Sequence, residues 1–122
     1  MRPAPAFLTT TENNLPDYRI IERYGVVRGI TVRSRSVFGT LGAVLQQMRG
    51  GDISLLTDLC EQTRAAAFDL AVTHAKALGA NALIALRYDA TEIMQGVSEV
   101  LCYGTAMRVA PQLRRSSEPP RI

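Results

Sequence analysis

Three segments of the chain have the composition of β-strands, and each is apolar on both faces. Residues 18–33, YRIIERYGVVRGITVR, are rich in Ile, Val, Tyr and Thr, the side chains that suit a pleated surface. Read alternately, Ile20, Tyr24, Val26, Ile30 and Val32 share one face, with Ile21 and Val27 on the other. In residues 81–94, Ile84, Leu86 and Tyr88 oppose Leu83, Ala85 and Ile93. In residues 97–109, Val97, Leu101, Tyr103, Met107 and Val109 oppose Val100, Cys102 and Ala106. An antiparallel sheet with one wet face should alternate apolar and polar. This one does not.

Between the strand segments lie two helical patterns. Val37, Phe38, Leu41, Val44, Leu45 and Met48 trace an i, i+3, i+4, i+7 stripe that Gly50-Gly51 ends. Gly39 and Gly42 each weaken that helix by up to about 1 kcal/mol relative to alanine, so packing must hold it. A second helix is predicted over 54–78, capped by Asp52 or Ser54 and stopped at Gly79. Its stripe runs Leu56, Leu59, Cys60, Thr63, Ala66, Ala67, Leu70, Ala71, His74 and Leu78. Alanines in the middle let a helix approach a sheet closely. Gln95-Gly96 reads as the turn of a hairpin, and Gly25 and Gly29 mark a bulge, a bend or a close backbone approach.

The expected fold is therefore a two-layer α/β (α+β) unit, βααββ, with a three-stranded, mainly antiparallel sheet covered on one face by helices. One helical layer cannot cover two faces. Burial of an aliphatic side chain is worth about 1.5–3 kcal/mol, and several would stay wet in a lone chain. Open strand edges are also a pairing hazard. Closure by further copies in a symmetric oligomer is the expected solution. The chain's partner is then itself, with Tyr24, Val26, Arg28, Ile30, Arg33, Arg87, Leu101, Tyr103 and Met107 as interface candidates. Arg28, Arg33 and Arg87 would face carboxylates of the neighbouring copy.

With 122 residues the chain is one domain. Residues 1–17 read as an N-terminal arm or loop, 18–110 as the body, and 111–122, PQLRRSSEPPRI, as a flexible tail. No apolar run is long enough to span a bilayer, and the first residues lack a secretory leader. Two widely spaced cysteines do not make a disulfide framework, so a cytoplasmic location is expected. Of 14 basic residues only Lys76 is lysine. The arginines are interleaved with apolar residues rather than gathered on one face, which argues against a nucleic-acid partner.

The candidate metal ligands are Cys60, Cys102, His74 and Glu99, far apart in sequence, without the close spacings of a metal motif. Asp89, Glu92 and Glu99 flank the hairpin. Tyr24, Tyr88 and Tyr103 offer stacking surfaces for a small molecule. With one histidine and no nucleophile–base pair, no catalytic residues are assigned and an enzyme is not expected.

Tyr24-Gly25-Val26-Val27-Arg28-Gly29, the long helix, Ala77-Leu78-Gly79-Ala80-Asn81-Ala82-Leu83-Ile84 and Tyr103-Gly104-Thr105-Ala106-Met107 together resemble the YbjQ family, over residues 8–109. This small bacterial family is often labelled heavy-metal-binding. The resemblance implies a dodecin-like subunit with sheet order 1-3-2, assembled as a homopentameric ring with extra strands at subunit contacts. The leading expectation is a non-enzymatic ring protein that binds or scaffolds. A metal-binding protein whose ligands are gathered by assembly is the alternative, and a dodecin-like small-molecule binder is the third reading.

Overall fold

A computed structural model describes residues 6–34 and 54–112. Its elements are β1 (Leu8–Thr9), β2 (Tyr18–Ser34), α1 (Ser54–Ala77), β3 (Ala82–Met94) and β4 (Val97–Pro111). One helix packs against a mixed four-stranded sheet of order β1-β3-β4-β2. The expected three-stranded sheet gains a fourth member, because β1 pairs parallel to β3 through Leu8 with Ala82 and Thr9 with Leu83. The other pairings, β2 with β4 and β3 with β4, are antiparallel. The helix expected within 37–48 lies outside the described residues.

The buried face of α1 is narrower than the sequence stripe. Thr63, Ala67, Ala71 and Ala75 are buried at i, i+4 spacing, whereas Cys60, Leu70, His74 and Leu78 are exposed. The sequence stripe merged two neighbouring ridges of the helix, and the alanine ridge is the one that seats. It sits so close that a Cβ on Gly29 would lie 2.5 Å from the Ala71 nitrogen and 2.8 Å from the Leu70 Cβ. The helix ends as its glycine requires. Gly79 has φ +98, its N–H donates to the Lys76 carbonyl (3.0 Å), and the Ala80 N–H donates to that of Ala75 (3.1 Å), the double closure of a Schellman motif.

The faces of β4 alternate as read. Val100, Cys102 and Ala106 meet the helix side of the sheet, and Met107 and Val109 pack on the far side. The other two strands are irregular. Ala85 has φ +52, and the β3–β4 register shifts between Ile84 and Arg87. Leu83 and Leu86 therefore share the helix-side core while Ile84 packs on the far side. The expected grouping of Ile84 with Leu86 is corrected by this bulge, which shifts the alternation by one residue. In β2 a shift at Arg23/Gly25, with Gly25 at φ +91, puts Tyr24 against the helix-side core together with Val27. The expected grouping of Tyr24 with Val26 fails for the same reason. The hairpin turn falls at Gln95-Gly96, with the glycine at φ +76.

The N-terminal segment is more than an arm. Leu8 donates to the Asn81 carbonyl (2.9 Å), Thr10 to Leu83 (3.2 Å), Ala85 to Glu12 (2.8 Å) and Leu86 to Thr10 (3.0 Å). Phe7 packs on the helix side, while Leu8, Leu15 and Tyr18 pack over Ala82, Ile84, Met107 and Val109 on the far side. One end of the far face is thus closed by the chain itself, a closure assigned from the sequence to other copies.

Candidate functional site: an open groove beside the edge strand

The ridge of α1 next to the alanine ridge faces β2 across an open groove of about 550 Å³. Val26, Val27, Arg28, Ile30, Leu70, His74, Ala77 and Leu78 line it. The groove lies where β2, the last strand among the described residues, meets the helix at Gly29 through Ala67, Ala71 and the Cβ of Leu70, with the Leu70 and Leu78 side chains left exposed beside it. Val26 is 73 % and Ile30 43 % exposed. A carbonyl oxygen can only accept, so His74 Nδ1 carries a proton and donates to the Arg28 oxygen at 2.6 Å. This bond ties the helix to the edge strand and leaves Nε2 free for another partner. The ring's value is thus positional. The Arg28 guanidinium has no ion-pair partner among the described residues.

A second hollow of about 390 Å³ lies between α1 and β3, lined by Glu61, Arg64, Ala65, Phe68 and Tyr88. The Arg64 guanidinium lies 5.5 Å from the centroid of the Tyr88 ring, a cation–π distance. Behind it the Tyr88 hydroxyl and the Cys102 thiol share a side-chain hydrogen bond. Burial pushes the Cys102 thiol above its usual pKa, and the bond from Tyr88 pulls it back only in part. Burial, with the neighbouring thiol second, raises the Tyr88 hydroxyl too.

The structure does not bring the candidate ligands together. Cys102 is wholly buried on the helix side of β4, and Glu99 lies at an odd position of the same strand, on the far side. Cys60 is exposed near the start of α1. His74 is fourteen residues further along, roughly 21 Å at helical rise. Among the described residues no three His, Cys, Asp or Glu side chains gather as a metal site would require. A soft metal needs thiolate or imidazole, and the buried thiol is held in its protonated form. Among the described residues the soft donors that face solvent are Cys60, the outer edge of His74 and the Met94 thioether.

The other residues singled out in sequence are dispersed. Met107, 3 % exposed, is sealed under the N-terminal segment of its own chain. Tyr24 packs on the helix-side core, its hydroxyl 3.1 Å from where a Cβ on Gly79 would be. Arg87 donates to the Thr11 and Leu86 carbonyls, both at 2.9 Å, and Arg33 Nε donates to the Thr63 hydroxyl at 3.3 Å. Arg28, Tyr103 and Arg87 form one row across the far face, and Ile30, Leu101 and Asp89 the next. Tyr24 and Tyr88 lie on the helix side of the sheet and Tyr103 on the far side. Sequence reasoning missed Leu70 and Leu78 as groove walls, although the excess width of the helix stripe was the signal. It missed Asn81 as well, whose side chain donates to the Val109 carbonyl (2.9 Å) and accepts the Val109 N–H (2.8 Å).

Fold and groove define a small α+β chain with, among the described residues, an open sheet edge, an apolar cleft beside it and no gathered set of His, Cys, Asp or Glu for a metal. Within that class the chain belongs to the YbjQ family. Residues 7–110 match that family's sequence model, described as "Putative heavy-metal-binding". The chain is 61 % identical over 107 residues to a UPF0145 protein of Solibacter usitatus, covering 88 % of this chain and 96 % of that one. It is 50 % identical over 115 residues to a UPF0145 protein of Chromobacterium violaceum, covering 94 % and 98 %. To one of Burkholderia multivorans it is 54 % identical over 106 residues, covering 87 % of each. No helix among the described residues is long and apolar enough to cross a membrane.

Proposed function

We propose that the chain is a cytoplasmic, non-enzymatic subunit of a closed homo-oligomer that works by binding or scaffolding. The observation that carries this reading is the state of β2. It is a 17-residue strand at the end of the sheet, and Ile20, Ile21, Val26, Ile30 and Val32 on it are exposed. An edge of that length and apolarity invites pairing in solution unless a specific partner covers it. Each aliphatic side chain covered contributes about 1.5–3 kcal/mol, enough together for a stable contact. The family resemblance implies five subunits. The single imidazole, bonded to a main-chain carbonyl and to no nucleophile, favours binding over catalysis.

Native mass spectrometry of the full chain at micromolar concentration tests the reading. The expected species is a single multiple of the 13.3 kDa chain, five for the ring. A monomer across that range would overturn it.

A further inference from the structure

Among the described residues the sheet has two open edges, and they carry opposite charge. Along β2 stand Arg19, Arg23, Arg28 and Arg33 against a single acid, Glu22. Glu22 is already paired with Arg108 (3.5 Å). At the other end of the sheet, the N-terminal segment bonds β3 only as far as Leu86, with the Arg87 side chain following it. From Tyr88 to Met94 no strand among the described residues covers the outer edge of β3. That stretch, YDATEIM, holds Asp89 and Glu92 and no base. It is exposed throughout and ends in two unburied apolar side chains, Ile93 (52 % exposed) and Met94 (64 %).

This arrangement discriminates between ways of joining two copies. Pairing β2 with β2 would set arginine against arginine, and pairing β3 with β3 would set acid against acid. Like charges opposed across strands are destabilising. Pairing β2 with β3 opposes base to acid and apolar to apolar. Such a contact uses two different surfaces, so it runs head to tail and closes into a ring when the rotation allows.

We propose that the outer half of β3 and its hairpin tip in one copy, Tyr88–Met94, docks along the basic edge of β2 in the next copy. Ile93 and Met94 enter the groove between β2 and α1, which offers Val26, Ile30, Leu70 and Leu78 as an apolar lining, while Asp89 and Glu92 meet the unpaired arginines. The occupant of the groove is thus a second copy of this chain. This inference rests on the proposed assembly and deepens it by assigning both surfaces.

Complementation between two disabled copies tests it. One variant carries Ile93→Asp and Met94→Asp, the other Val26→Asp and Ile30→Asp. All four positions are exposed, and circular dichroism checks that each variant keeps the helix and sheet signal. Each alone is expected to associate at least about tenfold more weakly than wild type and to run as a monomer. Mixed one to one, they retain one intact pair of surfaces and are expected to give heterodimers that grow no further. Should an aspartate variant fail to fold, a milder charge swap serves: Arg28→Glu and Glu92→Lys each weaken association alone, while their mixture, in which both junctions oppose base to acid, is expected to regain higher-order assembly. If wild type assembles but the hairpin variants keep its mass, or if the mixture yields no heterodimer, the docking is wrong while the assembly stands. A monomeric wild type would sink both.

Discussion

The two ends of the sheet's far face carry the same kind of side chain in opposite states. At one end Ala82, Ile84, Met107 and Val109 are buried under Leu8, Leu15 and Tyr18. At the other, Val26, Ile30 and Val32 stand exposed on the edge strand. Sequence chemistry does not separate Met107 from Ile30; chain connectivity does. The N-terminal segment reaches one end only, anchored by Leu8, Thr10 and Glu12 on β3. The far face is therefore core at one end and exposed apolar surface at the other.

Truncating one residue at each end gives the largest contrast. Met107→Ala is expected to lose about 2–5 kcal/mol of unfolding free energy, the range for an emptied core site, read from urea unfolding. Ile30→Ala should lower stability of the isolated chain by less than about 1 kcal/mol and appear instead as weaker subunit association. Equal losses in both experiments would erase the distinction between the ends.

A smaller effect is expected at Asn81. Its side chain makes two hydrogen bonds to the Val109 backbone, and its backbone accepts from Leu8 and donates to Met107. Asn81→Ala leaves the backbone bonds in place, so a loss of about 1–2 kcal/mol is expected, with faster amide exchange at Val109. Unchanged exchange there would show that the side chain does not hold the sealed end.

The smallest effect is a pH dependence on the helix-covered face. Burial raises the Cys102 thiol above its ordinary pKa, so the folded chain keeps that proton after the unfolded chain has released it. Its contribution to stability is complete below the ordinary thiol range and is lost as pH rises through and beyond it. Thermal melts taken through that alkaline range should fall less steeply for Cys102→Ala than for wild type. Parallel slopes would mean the thiol titrates alike in both states. At neutral pH a water-soluble thiol reagent should modify exposed Cys60 and spare Cys102 in the folded chain.

Regular elements were legible in the sequence. The faces of β4, the extent of α1 and the Gln95-Gly96 turn follow from period, cap and glycine chemistry that act locally. The irregular ones were not. Nothing in Leu83-Ile84-Ala85-Leu86 announces that Ala85 adopts φ +52. That geometry is unfavourable for alanine by roughly 1–2 kcal/mol, and it persists here with backbone bonds from the N-terminal segment at Ala85 and Leu86. A nonlocal partner thus inverts the face of the residues from Leu86 to Glu92, where a second register shift follows. The groove was hidden for a related reason. Leu70 and Leu78 are as apolar as core residues, and only the seating of the alanine ridge on Gly29 leaves them outside.

The pairing of Leu8 with Ala82 bears on how the molecule is made. The segment around Leu8 docks against a strand that follows it in the chain only after the whole of β2 and α1, so the pairing waits until that strand has been made. Until then its own apolar residues and those it covers have no native cover. Contacts of such long range form late and slowly, so the seal over Met107 is the step at which a nascent copy is most open to the wrong neighbour.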